Sequence, residues 1–292
     1  EWFLPARSPF NLTTVVRSHG WVQLAPFASN DDYSHFSYVT RLPSGRVVEL
    51  LTQAAPGGVS MQVDGTLEAA DQEAVKSQVA WMVGLDQDFS TFYNLARQEP
   101  KLSHVPEKAQ GRVLRSPTLF EDVVKTILTT NTTWSGTKRM NQALITYFGD
   151  PLPTDPGRRA FPTPEQVATA DVETLRTTVR LGYRAPYVLE LAQAVAGGRL
   201  DLEALKTAGL PTLELRKRLL AIKGVGGYAA ANLLVILGHY DFLPVDSWAL
   251  KLVAHEWHDG RPIGPAEVEA AFAHWGEWKG LAYWFWNWSY TG

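Results

Sequence analysis

The sequence predicts an α+β protein, with an N-terminal antiparallel sheet followed by a larger region built only of helices. Two observations predict it. Up to about Val83, apolar and polar residues alternate in short runs broken by Gly- and Pro-containing turns, the period-two pattern of half-buried strands. Beyond that point the apolar positions recur at helical spacing almost to the C-terminus. The sheet subdomain is assigned to residues 1–84 and the helical region to residues 85–292, with no internal repeat or long linker along the chain.

Taken in order, the alternating stretches are 13–27, 35–51 and 57–65. Pro43-Ser44-Gly45 and Pro56-Gly57-Gly58 read as hairpin turns between antiparallel strands. A first helix is expected after Thr66, within residues 67–85. Further helices are expected over 88–98, 117–130, 135–149, 164–170, 171–181, 184–197 and 201–207. The last group covers 212–222, 227–237, 247–256, 264–275 and 278–288.

Composition narrows the chemistry. The chain has no cysteine, which excludes disulfides, a thiolate nucleophile and any cysteine-ligated zinc or iron–sulfur site. Of its seven histidines only His255 and His258 are closely spaced, so no transition-metal site is expected. The apolar run Ala229–Leu237 is far too short for a membrane helix, and EWFLPARSPF shows no secretory signal. The missing initiator Met suggests a trimmed start. An intracellular location is expected: cytoplasm and nucleoid in a bacterium, nucleus in a eukaryote. A net charge of −3 argues against indiscriminate coating of nucleic acid. Locally the balance differs, with five cations against the single acid Glu214 between Lys206 and Lys223.

That basic stretch leads into the most informative motif. An amphipathic run (Leu215, Leu219, Ile222) ends at Gly224-Val225-Gly226, an apolar run from Tyr228 to Leu237 follows, and Asp246 arrives after a short loop. The glycines permit a tight turn, and the helix that starts after them has unpaired N–H groups suited to a phosphate oxygen. A Gly-Val-Gly between helices is also an ordinary αα connection, and the cations could be a solvated face. Hairpin, cations and downstream carboxylate together point to a protein that grips a nucleic-acid backbone and acts on it.

With these motifs in hand, the sequence resembles the helix–hairpin–helix DNA glycosylase superfamily. It is most similar to the branch of the 8-oxoguanine glycosylases and the inducible 3-methyladenine glycosylases. IKGVGGYAAA (222–231) resembles the family hairpin and VDSW (245–248) its catalytic-aspartate motif. SPTLFEDVVKTILTTNTTW (116–134), LGYRAPYV (181–188), SPFNLTTVVRSHGW (8–21) and HWGEWKGLAYW (274–284) follow the family order. The resemblance implies that duplex DNA is bent, a damaged nucleotide is flipped out and its N-glycosidic bond is broken. It also implies double-stranded DNA as the partner of a protein expected to be monomeric.

Residue by residue, the resemblance makes Asp246 the catalytic carboxylate, although Asp246 also stands where it could merely cap the next helix. Lys223, Gly224, Val225, Gly226 and Gly227 would hold phosphate, with no cofactor expected beyond a possible monovalent cation on hairpin carbonyls. Asn131, Tyr183 and Arg184 would fill and wedge the opened duplex. Bifunctional relatives carry a Schiff-base lysine where this chain has Tyr228, so water is expected to finish the reaction. The 8-oxoguanine branch has a further arginine where this chain reads Ser135-Gly136. Base-pocket candidates are His19, Trp21, Trp134, Tyr228, Tyr283, Trp284 and Asn287. The aromatic-rich pocket favours electron-poor alkylated purines through cation–π stacking. Oxidised purines, modified pyrimidines and a non-catalytic damaged-DNA binder are the alternatives.

Overall fold

A computed structural model describes residues 1–290. Five strands, β1 (Trp2–Pro5), β2 (Phe27–Ser29), β3 (His35–Arg41), β4 (Val47–Ala55) and β5 (Gly58–Val63), form one antiparallel sheet in the order β1-β5-β4-β3-β2. The helices are α1 (Leu12–Val16), α2 (Ala69–Val83), α3 (Ser90–Ala96), α4 (His104–Glu107), α5 (Leu119–Thr129), α6 (Trp134–Phe148) and α7 (Pro164–Ala168). There follow α8 (Ala185–Ala196), α9 (Thr212–Leu220), α10 (Gly227–Ile236), α11 (Ser247–Trp257), α12 (Pro265–Phe272) and α13 (Lys279–Phe285). An N-terminal sheet followed by a helical region is thus the observed class, but the helical region is not built only of helices: Pro151–Leu152 and Asp155–Arg159 pair as a small antiparallel hairpin after α6.

Compactness follows packing rather than chain order. One unit comprises Glu1–Gln87, Arg112–Gly209 and Ile222–Gly224, and the other Asp88–Gly111, Leu210–Ala221 and the chain from Val225 onward.

In the first unit, alternation along the strands buries one face of the sheet. Phe36, Tyr38, Leu50 and Met61 are nearly inaccessible, and register places Tyr38 opposite Leu50. The β3–β4 turn closes with the Leu42 N–H donating to the Arg46 carbonyl (2.8 Å) around Gly45 at φ +87°, as the Pro-Ser-Gly motif predicts. Residues 13–27 are a correction: most are not strand. Asn11 caps α1 by accepting from Thr14 N–H, and Leu12, Val15 and Val16 bury themselves at helical spacing. A run of β-branched residues hid that period, and α1 packs against β3 and β4. Residues 171–181 form a π-turn over Thr174–Thr178 rather than an α-helix, and 201–207 contain a short 3-10 turn.

The core of this unit also holds charge. Lys125 is wholly buried with its Nζ 2.6 Å from Glu121 Oε1, and Glu121 accepts the Tyr38 hydroxyl on its other oxygen. Neighbouring Asp122 accepts from Trp21 Nε1 (2.7 Å) and Ser116 N–H (3.0 Å), yet burial still pushes its carboxyl up to about 6. His19, set edge-on to Trp21 at 4.7 Å, donates Nε2–H to the Leu114 carbonyl (2.6 Å), since a carbonyl can only accept. Burial depresses His19 to about 4. These two shifts oppose each other in linkage. The unfolded chain protonates His19 first, so that stability is full above the ordinary 6.5 and is lost as pH falls towards 4. Asp122 keeps its proton longer in the folded state, so its contribution is full below the ordinary 3.8 and is lost as pH rises through 6. We therefore expect His19→Gln to leave stability falling as pH rises through the acidic range, and Asp122→Asn to leave it rising. Urea midpoints measured against pH check this, and parallel profiles for the two variants would sink it.

The second unit packs aromatic rings. Trp278 stacks on Phe92 (5.6 Å) and Tyr240 (5.7 Å), while Phe272 and Trp286 meet at 5.4 Å. Gly280 is required by close approach, because a Cβ there would lie 2.5 Å from the Phe242 carbonyl oxygen.

Candidate functional site

The α9–α10 connection is the expected hairpin. Leu215 and Leu219 anchor α9, whose last turn exposes Lys217 and Arg218. Gly224 adopts φ +87°, and a Cβ there would come within 2.9 Å of the Tyr187 ring, so only glycine fits. Gly226 differs: a Cβ on it would meet nothing within 4 Å. The first intrahelical bond of α10 runs from Ala230 N–H to the Gly226 carbonyl (2.9 Å), leaving the N–H groups of Gly227, Tyr228 and Ala229 without an intrahelical partner. Open space and unpaired donors together make an anion seat. Lys223 pairs with Glu190 of α8 at 2.7 Å, a contact the sequence did not announce. Both side chains are more than half exposed, so the pair is worth about 0–1 kcal/mol.

Asp246 sits at the N-cap of α11. Its Oδ1 accepts from both Trp248 N–H (2.9 Å) and Ala249 N–H (2.8 Å). Its Oδ2 makes no hydrogen bond among the described residues, and the residue is exposed. Capping therefore occupies one oxygen of the carboxylate and leaves the other free. Half-buried Tyr283 has its hydroxyl pushed well above the ordinary tyrosine range, first by burial and then by the charge of Asp246 and the neighbouring Tyr228. Tyr228 itself is 64 % exposed, and Trp248 and Trp284 are also exposed. Trp275 and Trp286 are buried in the core, as an aromatic C-terminal run permits. Asn287 is exposed, and its main chain is tied to Lys101 through a bond from its N–H (3.1 Å) and one to its carbonyl (3.2 Å).

A second set gathers in the other unit. Between α5 and α6, Asn131 takes φ +45°, a left-handed conformation that asparagine tolerates, and its amide donates to the Tyr183 hydroxyl (3.4 Å). Hydrogen bonds with Thr130 lower the Tyr183 hydroxyl from its ordinary value. Arg184 is buried rather than presented on the surface: its guanidinium donates to the Thr130 carbonyl and lies 4.4 Å from the Tyr183 ring centre. It holds the turn that carries Asn131 and Tyr183, which stay exposed. Trp134 lies over Gly20, where a Cβ would fall 2.4 Å from the indole, and donates Nε1–H to Gln23 (2.8 Å). Trp21 is buried with its own N–H committed to Asp122.

Among the described residues no group of three or more His, Asp or Glu could hold a metal ion, and no helix is long and apolar enough to cross a membrane. A family model described as "HhH-GPD superfamily base excision DNA repair protein" matches residues 124–277, just over half of the chain and including the hairpin and Asp246. The chain belongs to the HhH-GPD superfamily. Among HhH-GPD relatives, it is 28% identical over 170 residues to a DNA-3-methyladenine glycosylase of Bacillus subtilis, covering 56% of this chain and 54% of that protein. It is 21% identical over 201 residues to an N-glycosylase/DNA lyase of Saccharomyces cerevisiae, covering 65% and 54%. The chain thus spans about half the length of these two relatives. The solved 3-methyladenine DNA-glycosylase of Archaeoglobus fulgidus shares the fold with a TM-score of 0.75 at 21% identity, covering 98% of this chain and 97% of that one.

Proposed function

We propose that this HhH-GPD protein is a monofunctional DNA glycosylase that removes alkylated purines from duplex DNA. The observation that carries the reading is the divided Asp246 carboxylate, with Oδ1 fixed by two main-chain N–H groups and Oδ2 free. As the glycosidic bond lengthens, its electron pair leaves with the base and the sugar becomes oxocarbenium-like. The Oδ2 charge stabilises that cation and takes a proton from the water that bonds to the anomeric carbon. Sugar and base then separate as an abasic site and a free purine.

Tyr228 supports the hydrolytic ending. Its phenol occupies the position where bifunctional relatives carry the amine, and a phenol forms no imine with the sugar. The α10 N–H groups and Lys223 would hold a phosphate of the same strand. A monovalent cation would find only main-chain oxygens at the turn, since Lys223 to Gly227 offer no anionic side chain; when bound it would add positive charge beside that phosphate. Exposed Tyr228, Trp248 and Trp284 supply rings on which a flipped, electron-poor base can stack. The Bacillus relative, a 3-methyladenine glycosylase, supports the same substrate class.

Mass spectrometry of bases released from duplexes carrying alkylated, oxidised and pyrimidine lesions tests the proposal, with borohydride added in parallel. Free alkylated purine, unbroken strands and no trapped protein–DNA adduct are expected. A borohydride-trapped adduct would refute hydrolysis, and release of oxidised purine alone would refute the substrate. Tight binding with no release across the panel would leave a damaged-DNA binder.

A further inference from the structure

Beside the Asn131–Tyr183 turn lies a groove of about 900 Å³, running along α6 towards the π-turn. Arg139, Arg180 and Arg184 line it together with the hydroxyls of Thr132, Thr146 and Thr178, and no lining residue is acidic. The side chains of Arg139 and Arg180 make no hydrogen bond and no ion pair among the described residues, whereas Lys223, Arg158 and Arg176 in the same unit all have carboxylate partners. Arg184 is only 6 % exposed, yet its Nε–H has no hydrogen-bond partner. Such a cleft, cationic, hydroxyl-lined and free of carboxylates, is chemically matched to a phosphodiester.

We infer that this groove takes the backbone of the DNA strand opposite the lesion. The inference rests on the proposed glycosylase reading, together with the family resemblance that makes Asn131 and Tyr183 the residues filling the gap left by the flipped base. Thr132 follows Asn131, Arg184 follows Tyr183 and bonds to the Thr130 carbonyl, and both line the groove, so it begins beside the two gap-filling candidates. Arg139 and Arg180 then contact the phosphates of the opposite strand. The strand carrying the lesion is the one assigned to the hairpin under the proposed function.

The test uses duplexes bearing a tetrahydrofuran abasic analogue, titrated by fluorescence anisotropy from about 50 to 200 mM salt, the range over which phosphate contacts change affinity most. The variant is Arg139→Gln with Arg180→Asn, chosen because asparagine tolerates the φ of +64° at position 180. Each lost phosphate contact lowers the slope of log K against log salt by about 0.9, so the double variant should lose about 1.8 and each single variant half of that. Single methylphosphonate replacements assign the strand. Neutral linkages opposite the lesion should weaken the wild type and leave the double variant unchanged, while those on the lesion strand should weaken both alike. An unchanged salt slope, or a variant that loses its response only on the lesion strand, overturns the groove assignment while leaving the glycosylase reading intact. A wild-type protein that binds no abasic duplex overturns both.

Discussion

Asp246→Asn is expected to lower single-turnover base release by about 10²- to 10⁴-fold, the range assigned to a positioned proton acceptor. The substitution separates the two tasks of this side chain. An asparagine amide oxygen can still accept from Trp248 and Ala249 N–H, and asparagine caps helices about as well as aspartate, so α11 should remain intact. What disappears is the charge on the other oxygen. Affinity for an abasic duplex should hold or improve, because one anion is removed from a surface that meets phosphates. Asp246→Ala, by contrast, should also lose about 1 kcal/mol of stability with the cap. Release by Asp246→Asn within tenfold of wild type, at unchanged melting temperature, would show that the residue only caps.

The same residue shows what a sequence can carry. An aspartate directly before an apolar helical run is a capping signal and, within the ordered motifs, a candidate for catalysis; in the structure capping takes one oxygen of the carboxylate and leaves the other free. The hairpin was equally legible, since Gly224 is fixed by local geometry, a positive φ and a ring pressed against its α-carbon. Elements defined by period two or by helical spacing were legible too. What was not legible depends on partners distant in the chain. Thr13–Val16 is β-branched and reads as strand until the sheet face that buries it is known. Lys223 invites a phosphate in sequence, but Glu190, 33 residues away, meets it first. Arg184 is expected at the opened duplex, yet the Thr130 carbonyl draws its guanidinium inward. Trp21 reads as a pocket aromatic, with no sign in the sequence that Asp122, 101 residues on, holds its N–H. Such pairings are decided by tertiary packing, on which local propensity is silent.

Nowhere is that clearer than at Lys125, for which the largest loss of stability is expected. In LFEDVVKTILT it looks like an ordinary i,i+4 partner of Glu121, the kind of surface pair worth a few tenths of a kcal/mol. In the fold both are at most 2 % exposed, and the ammonium lies 4.8 Å from the Phe27 ring centre and 3.4 Å from Ser116 Oγ. Lys125→Met fills similar volume but strands the Glu121 carboxylate with the Tyr38 hydroxyl as its remaining partner. Breaking a buried pair in this way costs about 3–5 kcal/mol, roughly 5–8 °C in melting temperature for a protein of this size. Adding Glu121→Gln to that variant removes the stranded charge and should recover a large part of the loss, because a buried pair gains little over a well-packed neutral replacement. A double-mutant cycle from urea melts measures the coupling directly. If Lys125→Met alone cost less than about 1 kcal/mol, the pair would be behaving as a solvated one, at odds with its complete burial.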